Sequence, residues 1–125
     1  MSELWESIRA ELLSGGCSAV GVSTVEPFEE VRISIEDRKA AGMNGSMHFT
    51  FGDPARSTDI TRSFPWARSL VVAGRPYIPE SGSPGEPMAN HGRIARFATA
   101  DHYVPLRAAL TDLADRLVDD GYRAE

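Results

Sequence analysis

The chain has 125 residues, 42% of them hydrophobic and 25% charged, which suits one globular domain with one modest core. Its formal net charge of −5 argues against gripping nucleic acid through bulk charge, and its one cysteine, Cys17, excludes an internal disulfide and any cluster or zinc site built from this chain's cysteines alone. No apolar run approaches the roughly 20 residues needed to span a bilayer, and the start Met1-Ser2-Glu3-Leu4 is not that of a signal peptide, so a soluble, cytoplasmic protein is expected.

Leu4, Trp5, Ile8, Leu12 and Leu13 recur at helical spacing. With Ser2 as cap and Gly15-Gly16 as a left-handed stop, they predict a helix over residues 3–14. Ala19-Val20-Gly21-Val22-Ser23 reads as a short buried strand, and Cys17 before it as a small packed residue rather than a nucleophile. Pro27 fits the first turn of a second helix, with Phe28, Val31 and Ile35 on its core face and an end near Gly42. Residues 43–51 read as a turn followed by a short helical or irregular segment. His48 within it admits two readings, a ligand or proton carrier and a packed or surface residue, of which the second is the commoner.

Residues 52–68 are polar and punctuated by Pro54 and Pro65, which predicts loop with at most one helical turn and Trp66 at the edge of the core. Ser69-Leu70-Val71-Val72-Ala73-Gly74 is the strongest strand signal, a continuous apolar run expected to be central and covered on both faces. Residues 76–92, with four prolines, read as a long loop that is either a mobile lid, the favoured reading, or a disordered segment. Arg93-Ile94-Ala95-Arg96-Phe97-Ala98 alternates imperfectly and reads as a short strand. Pro105 then starts a helix whose stripe is Leu106, Leu110, Leu113 and Leu117, ending at Gly121. Two to three strands interleaved with three helices predict a single α/β domain with a small mixed sheet and flanking helices.

The dinucleotide, Walker, His-Glu-x-x-His and paired Cys-x-x-Cys motifs are all missing from the sequence, and no serine sits in a nucleophile-elbow context. Chemistry concentrates instead in Gly92 to Tyr103. Asp101 precedes the last helix, so it is either a cap, accepting a first-turn amide, or a general acid. Arg93 and Arg96 can hold phosphate or carboxylate groups of a ligand or pair with surface acids. Phe97 and Tyr103 can stack on a flat cofactor or pack in the core.

Three stretches in order resemble the N-terminal part of the cobalamin-dependent epoxyqueuosine reductases. They are Pro27-Phe28-Glu29-Glu30 with Ala40-Ala41-Gly42 and Gly45-Ser46-Met47; Arg62-Ser63-Phe64-Pro65-Trp66-Ala67-Arg68-Ser69-Leu70-Val71; and Gly92-Arg93-Ile94-Ala95-Arg96-Phe97-Ala98 with Asp101-His102-Tyr103. The resemblance implies the front part of a larger, monomeric enzyme that reduces epoxyqueuosine to queuosine in tRNA. It implies a cobalamin and two 4Fe-4S clusters, the clusters belonging to a region absent from this sequence. It also implies Asp101 as the proton donor; Arg93, Arg96, Phe97, His102 and Tyr103 beside it are the candidate cofactor-binding residues, either His102 or Tyr103 being the one that faces the cofactor. The family motif reads Asp-Tyr-His, so its last two residues are exchanged here, and the step from Phe97 to Asp101 is one residue shorter. His102 is not expected to ligate cobalt. The rival readings are a flavin or nitroreductase-like enzyme using Arg93 and Arg96 on a flavin phosphate, and a non-catalytic module that binds a partner through residues 76–92.

Overall fold

The computed structural model describes residues 2–77 and 89–125, so most of the loop expected over 76–92 lies outside the described residues. The order of elements is α1 (Glu3–Ser14), β1 (Ala19–Thr24), α2 (Glu29–Ala40), α3 (Pro54–Ser57), a 3-10 turn (Ile60–Arg62), β2 (Ser69–Gly74), a second 3-10 turn (Arg96–Ala98) and α4 (Tyr103–Asp119). This is a mixed α/β architecture, as the alternation of signals predicts. The chain divides into two compact units, one of residues 1–21 with 72–125 and one of residues 22–71.

In the first unit, α1 begins where the Ser2 hydroxyl accepts the Trp5 amide at 3.3 Å. It ends at Gly15, followed by Gly16 at φ +90°, a left-handed conformation that a side chain makes costly. α1 packs against α4, and Ile8, Leu12 and Leu113 are buried. Both apolar stripes therefore point where their 3.6-residue periods require. Arg116 ties the two helices further, donating to Glu11 at 2.5 Å and to Asp120 at 2.9 Å. The Glu11 carboxylate, through that hydrogen bond first, holds the Arg116 guanidinium above its ordinary pKa. Cys17 is buried beside α1, its amide bonded to the Leu12 carbonyl, in keeping with a packed residue. α4 starts two residues earlier than Pro105 suggests. Pro105 becomes the third helical residue, where its missing N–H is one of the first-turn amides that lack an intrahelical partner anyway.

In the second unit, α2 contacts the short α3. α3 is capped by Asp53, whose carboxylate accepts the Arg56 amide at 3.1 Å. Asp59 does the same for the 3-10 turn, accepting from the amide of Thr61 at 3.0 Å. Thr58 is buried and satisfied, its hydroxyl donating to the Pro54 carbonyl at 2.8 Å while its own carbonyl accepts the Phe28 amide at 2.9 Å. The core face expected for α2 is narrower than its pattern: Ile35 is buried, whereas Phe28 and Val31 are about half exposed, because the four-residue α3 is too short to cover three turns. Trp66 is half-buried and stands edge-to-face with Phe64 at 5.9 Å, next to buried Ala67.

β1 and β2 form a two-stranded antiparallel sheet, opened by the Ser18 amide bonding the Gly74 carbonyl at 2.8 Å. Two expectations are corrected here. β2 is not central, since among the described residues it pairs with β1 alone and Val72 is 58% exposed. Nor do residues 93–98 form a third strand. Ala98 and Thr99 bond back to Ala95 and Arg96 instead, and the Thr99 hydroxyl and His102 ring nitrogen also reach the Arg96 carbonyl, at 2.7 and 3.0 Å. Side chains that satisfy the backbone locally close a turn where an extended strand would need a partner.

The energetic weight of the first unit lies in apolar packing rather than in the Glu11–Arg116 pair, whose side chains are each about one-third exposed. Leu12→Ala is expected to cost about 2–5 kcal/mol, and Glu11→Gln about 1 kcal/mol or less. Urea unfolding midpoints of the two variants measure the difference.

Candidate functional site

β2 leads into Arg75-Pro76-Tyr77, and the turn Arg96–Ala98 leads through Asp101 and His102 into α4. Together these segments enclose a cleft of about 560 Å³ within the first unit, lined by Gly74, Arg75, Tyr77, Phe97, Ala100, Asp101, His102, Tyr103 and Leu106. That volume lies in the range of small-molecule sites. Phe97 and Tyr103 are 68% and 71% exposed. Large rings this open to water are available for contact with a flat molecule.

His102 is held from two sides. Its Nε2 lies 3.0 Å from the Arg96 carbonyl, and its ring lies 5.0 Å from the Tyr77 ring, tilted by 31°. A carbonyl only accepts, so Nε2 carries the hydrogen, an assignment that follows from its partner. His102 thereby ties the 3-10 turn to the end of β2.

Asp101 is exposed, and its Oδ1 accepts the Tyr103 amide at 3.0 Å. The N-cap position itself is His102, whose side chain makes no cap bond, so Asp101 stands one residue earlier than a cap and bonds the first helical amide as an Asx turn leading into α4. Its Oδ2 makes no hydrogen bond among the described residues. Arg75 is half-buried, with Nη1 donating to the Gly15 carbonyl at 2.5 Å.

Of the residues singled out from sequence, Phe97, Asp101, His102 and Tyr103 come together on this cleft, whereas Arg93 and Arg96 do not line it. Arg93 is exposed, and Arg96 contributes its carbonyl to the turn. Arg75, in sequence one of six arginines in the positively charged middle of the chain, and Tyr77 also line the cleft. A signal for both was present, since they follow the strongest strand directly and ligands in α/β sheets gather at the carboxyl ends of strands. His48 is exposed, and no cluster of metal-ligating side chains exists among the described residues.

The second unit has a smaller cleft of about 300 Å³, with Glu29, Arg32, Thr58, Asp59 and Arg62 on its wall. Its charges are spent on one another. Arg32 pairs with Glu29 and with Glu36, the latter at 2.7 Å, and Arg62 pairs with Asp59 at 3.3 Å. The hydrogen bond from Arg32 holds the Glu29 carboxyl below its usual range. The Thr61 hydroxyl, followed by the Thr61 amide and Arg62, does the same for Asp59, against an opposing push from desolvation. No unpaired nucleophile or base lies on this wall, so the larger cleft is the candidate site.

No family model, curated protein or solved structure matches the chain.

The depressed Asp59 fixes the sign of a pH effect. A carboxyl lowered in the folded state adds stability that is fully present above its unfolded pKa, about 4, and is lost as the pH falls through the lower folded value. The Asp59 contribution is expected to be constant from pH 8 to 5 and to decline below about pH 4. Thr61→Val should move the Asp59 titration upward, as followed by carboxyl carbon NMR.

Proposed function

We propose that this chain is the N-terminal part of an epoxyqueuosine reductase, a cytoplasmic, monomeric enzyme that reduces epoxyqueuosine to queuosine in tRNA, and that the larger cleft is one wall of its cobalamin site. One observation carries the reading: Phe97, Asp101, His102 and Tyr103, which the motif resemblance picks out, share a single cleft with the end of β2. No helix among the described residues is long and apolar enough to cross a membrane.

The residues fit part of such a cofactor. Tyr77, Phe97, Tyr103 and Leu106 offer flat and apolar surface to a macrocycle, while the cleft is too small to enclose a whole cobalamin, which makes it a wall rather than a container. They do not fit an iron-sulfur cluster. A 4Fe-4S cluster takes four thiolates, and Cys17 is single and buried. The two clusters of the proposed enzyme would be held by residues outside this sequence.

Removing the epoxide oxygen takes two electrons and two protons and releases water. Bound cobalamin supplies the reducing power. The chain's own part is proton delivery and positioning. Asp101 is anchored through Oδ1 by the Tyr103 amide, so Oδ2 is the atom that would hold one proton and give it to the departing oxygen, the second proton coming from solvent. His102, fixed by the Arg96 carbonyl and Tyr77, sets where the segment carrying Asp101 leaves the turn. Phe97 and Tyr103 cover the site from water once a flat ligand lies against them. For the flavin reading, neither Arg93 nor Arg96 lines the cleft, so they are not the groups that would meet a flavin phosphate there.

Asp101→Asn preserves an oxygen for the Tyr103 amide and removes the proton. In the enzyme complete with its cluster-bearing region, turnover of epoxyqueuosine-containing tRNA is expected to fall about 10²- to 10⁴-fold, with cobalamin binding, read by absorbance, unchanged. Undiminished turnover would exclude the acid role. If hydroxocobalamin produces no spectral change with the wild-type protein, the cobalamin reading fails.

A further inference from the structure

We infer that Arg75 is the oxyanion-recognising group of the larger cleft, which takes a ligand bearing a phosphate or carboxylate beside a flat ring. The inference rests on the reading of this cleft as a ligand site and goes beyond it in naming the group that sorts ligands by charge.

Three observations converge on Arg75. It lies on the cleft wall and is half-buried, so its charge is partly withdrawn from water. No carboxylate pairs with it among the described residues, whereas Arg32, Arg62 and Arg116 are each matched by an acid. Its one hydrogen bond among those residues, Nη1 to the Gly15 carbonyl at 2.5 Å, goes to a neutral acceptor. That bond orients the planar guanidinium and leaves Nε and Nη2 with donors to spare. A cation fixed in direction, partly desolvated and without a counter-charge among the described residues is an arrangement that binds an oxyanion well, since two parallel N–H bonds from one fork match a phosphate or carboxylate edge.

The backbone makes room for this placement. Gly16 has φ +90°, and a Cβ built there would lie 2.8 Å from the Arg75 Cζ. The conformation holds the residue to glycine, and a side chain there would also have to push the Arg75 guanidinium aside. Tyr77, two residues on, and Phe97 and Tyr103 on the same wall supply flat surface for a ring attached to the anion.

The test uses the purified 125-residue chain and two pairs of probes that differ in charge at constant ring: FMN against riboflavin, and 2-naphthoate against 2-naphthylmethanol, with binding followed by fluorescence. The wild type is expected to bind the charged member of at least one pair about tenfold more tightly. A preference in the FMN pair alone identifies phosphate, and one in the naphthyl pair alone identifies carboxylate. Arg75→Gln should abolish the preference while leaving affinity for the neutral ring, and Arg9→Gln, an equal loss of charge on the exposed side of α1, should preserve it. Gly16→Ala retains the charge but displaces the guanidinium, and should weaken the preference as well. Arg75→Lys should keep only part of it, which covers the case in which Arg75→Gln fails to fold by circular dichroism. Equal binding of charged and neutral probes by the wild type, or a preference that survives Arg75→Gln, overturns the inference. A parallel titration with hydroxocobalamin separates the two readings. Anion preference without cobalamin binding leaves Arg75 in its role and removes the cobalamin site, and the converse removes only Arg75.

Discussion

The Arg96 carbonyl oxygen accepts from the Thr99 amide, the Thr99 hydroxyl and His102 Nε2, at 3.1, 2.7 and 3.0 Å, and the shape of the larger cleft depends on that convergence. One carbonyl has two lone pairs, so three donors share it, each bond contributing about 0.5–1.5 kcal/mol net. The shared acceptor bends the chain between Ala95 and Asp101 into a compact turn. It also pins the imidazole that meets Tyr77, and it delivers Asp101 to the start of α4 with a carboxylate oxygen already committed to a backbone amide. An extended segment over the same residues would carry Phe97 and Asp101 apart.

This explains which parts of the molecule were legible in the sequence. α1 and α4 were, because Ile8, Leu12 and Leu113 repeat at a period that only a helix can bury on one side. The turn at Arg96–Ala98 was not. Its local alternation looks strand-like, and the donors that decide the outcome, Thr99 and His102, lie after the pattern ends. The continuous apolar run of β2 marked a strand correctly but described what neighbours could cover, and β1 covers only one edge of it. For the site, residue type picked out Phe97, Asp101, His102 and Tyr103. Choosing among arginines needs geometry, because Arg75, Arg93 and Arg96 are identical as charges and differ in which backbone each is tied to.

The two clefts also show how differently a protein can use its ionic side chains. In the smaller one, Arg32 and Arg62 meet Glu29, Glu36 and Asp59 within a turn or two of the same chain, so their fields close on themselves and mainly favour helix and turn formation. In the larger one the nearest acceptor of Arg75 is a carbonyl sixty residues away in sequence. A neutral partner orients the charge without cancelling it.

That carbonyl belongs to Gly15, the residue that closes α1, so Arg75 is at once part of the cleft wall and part of the end of a helix packed against α4. The two roles share one guanidinium, so a ligand that engaged Arg75 would also polarise its bond to the end of α1. If the proposed ligand engages Arg75, the last turn of α1 is therefore the natural place to detect a bound molecule that never touches it.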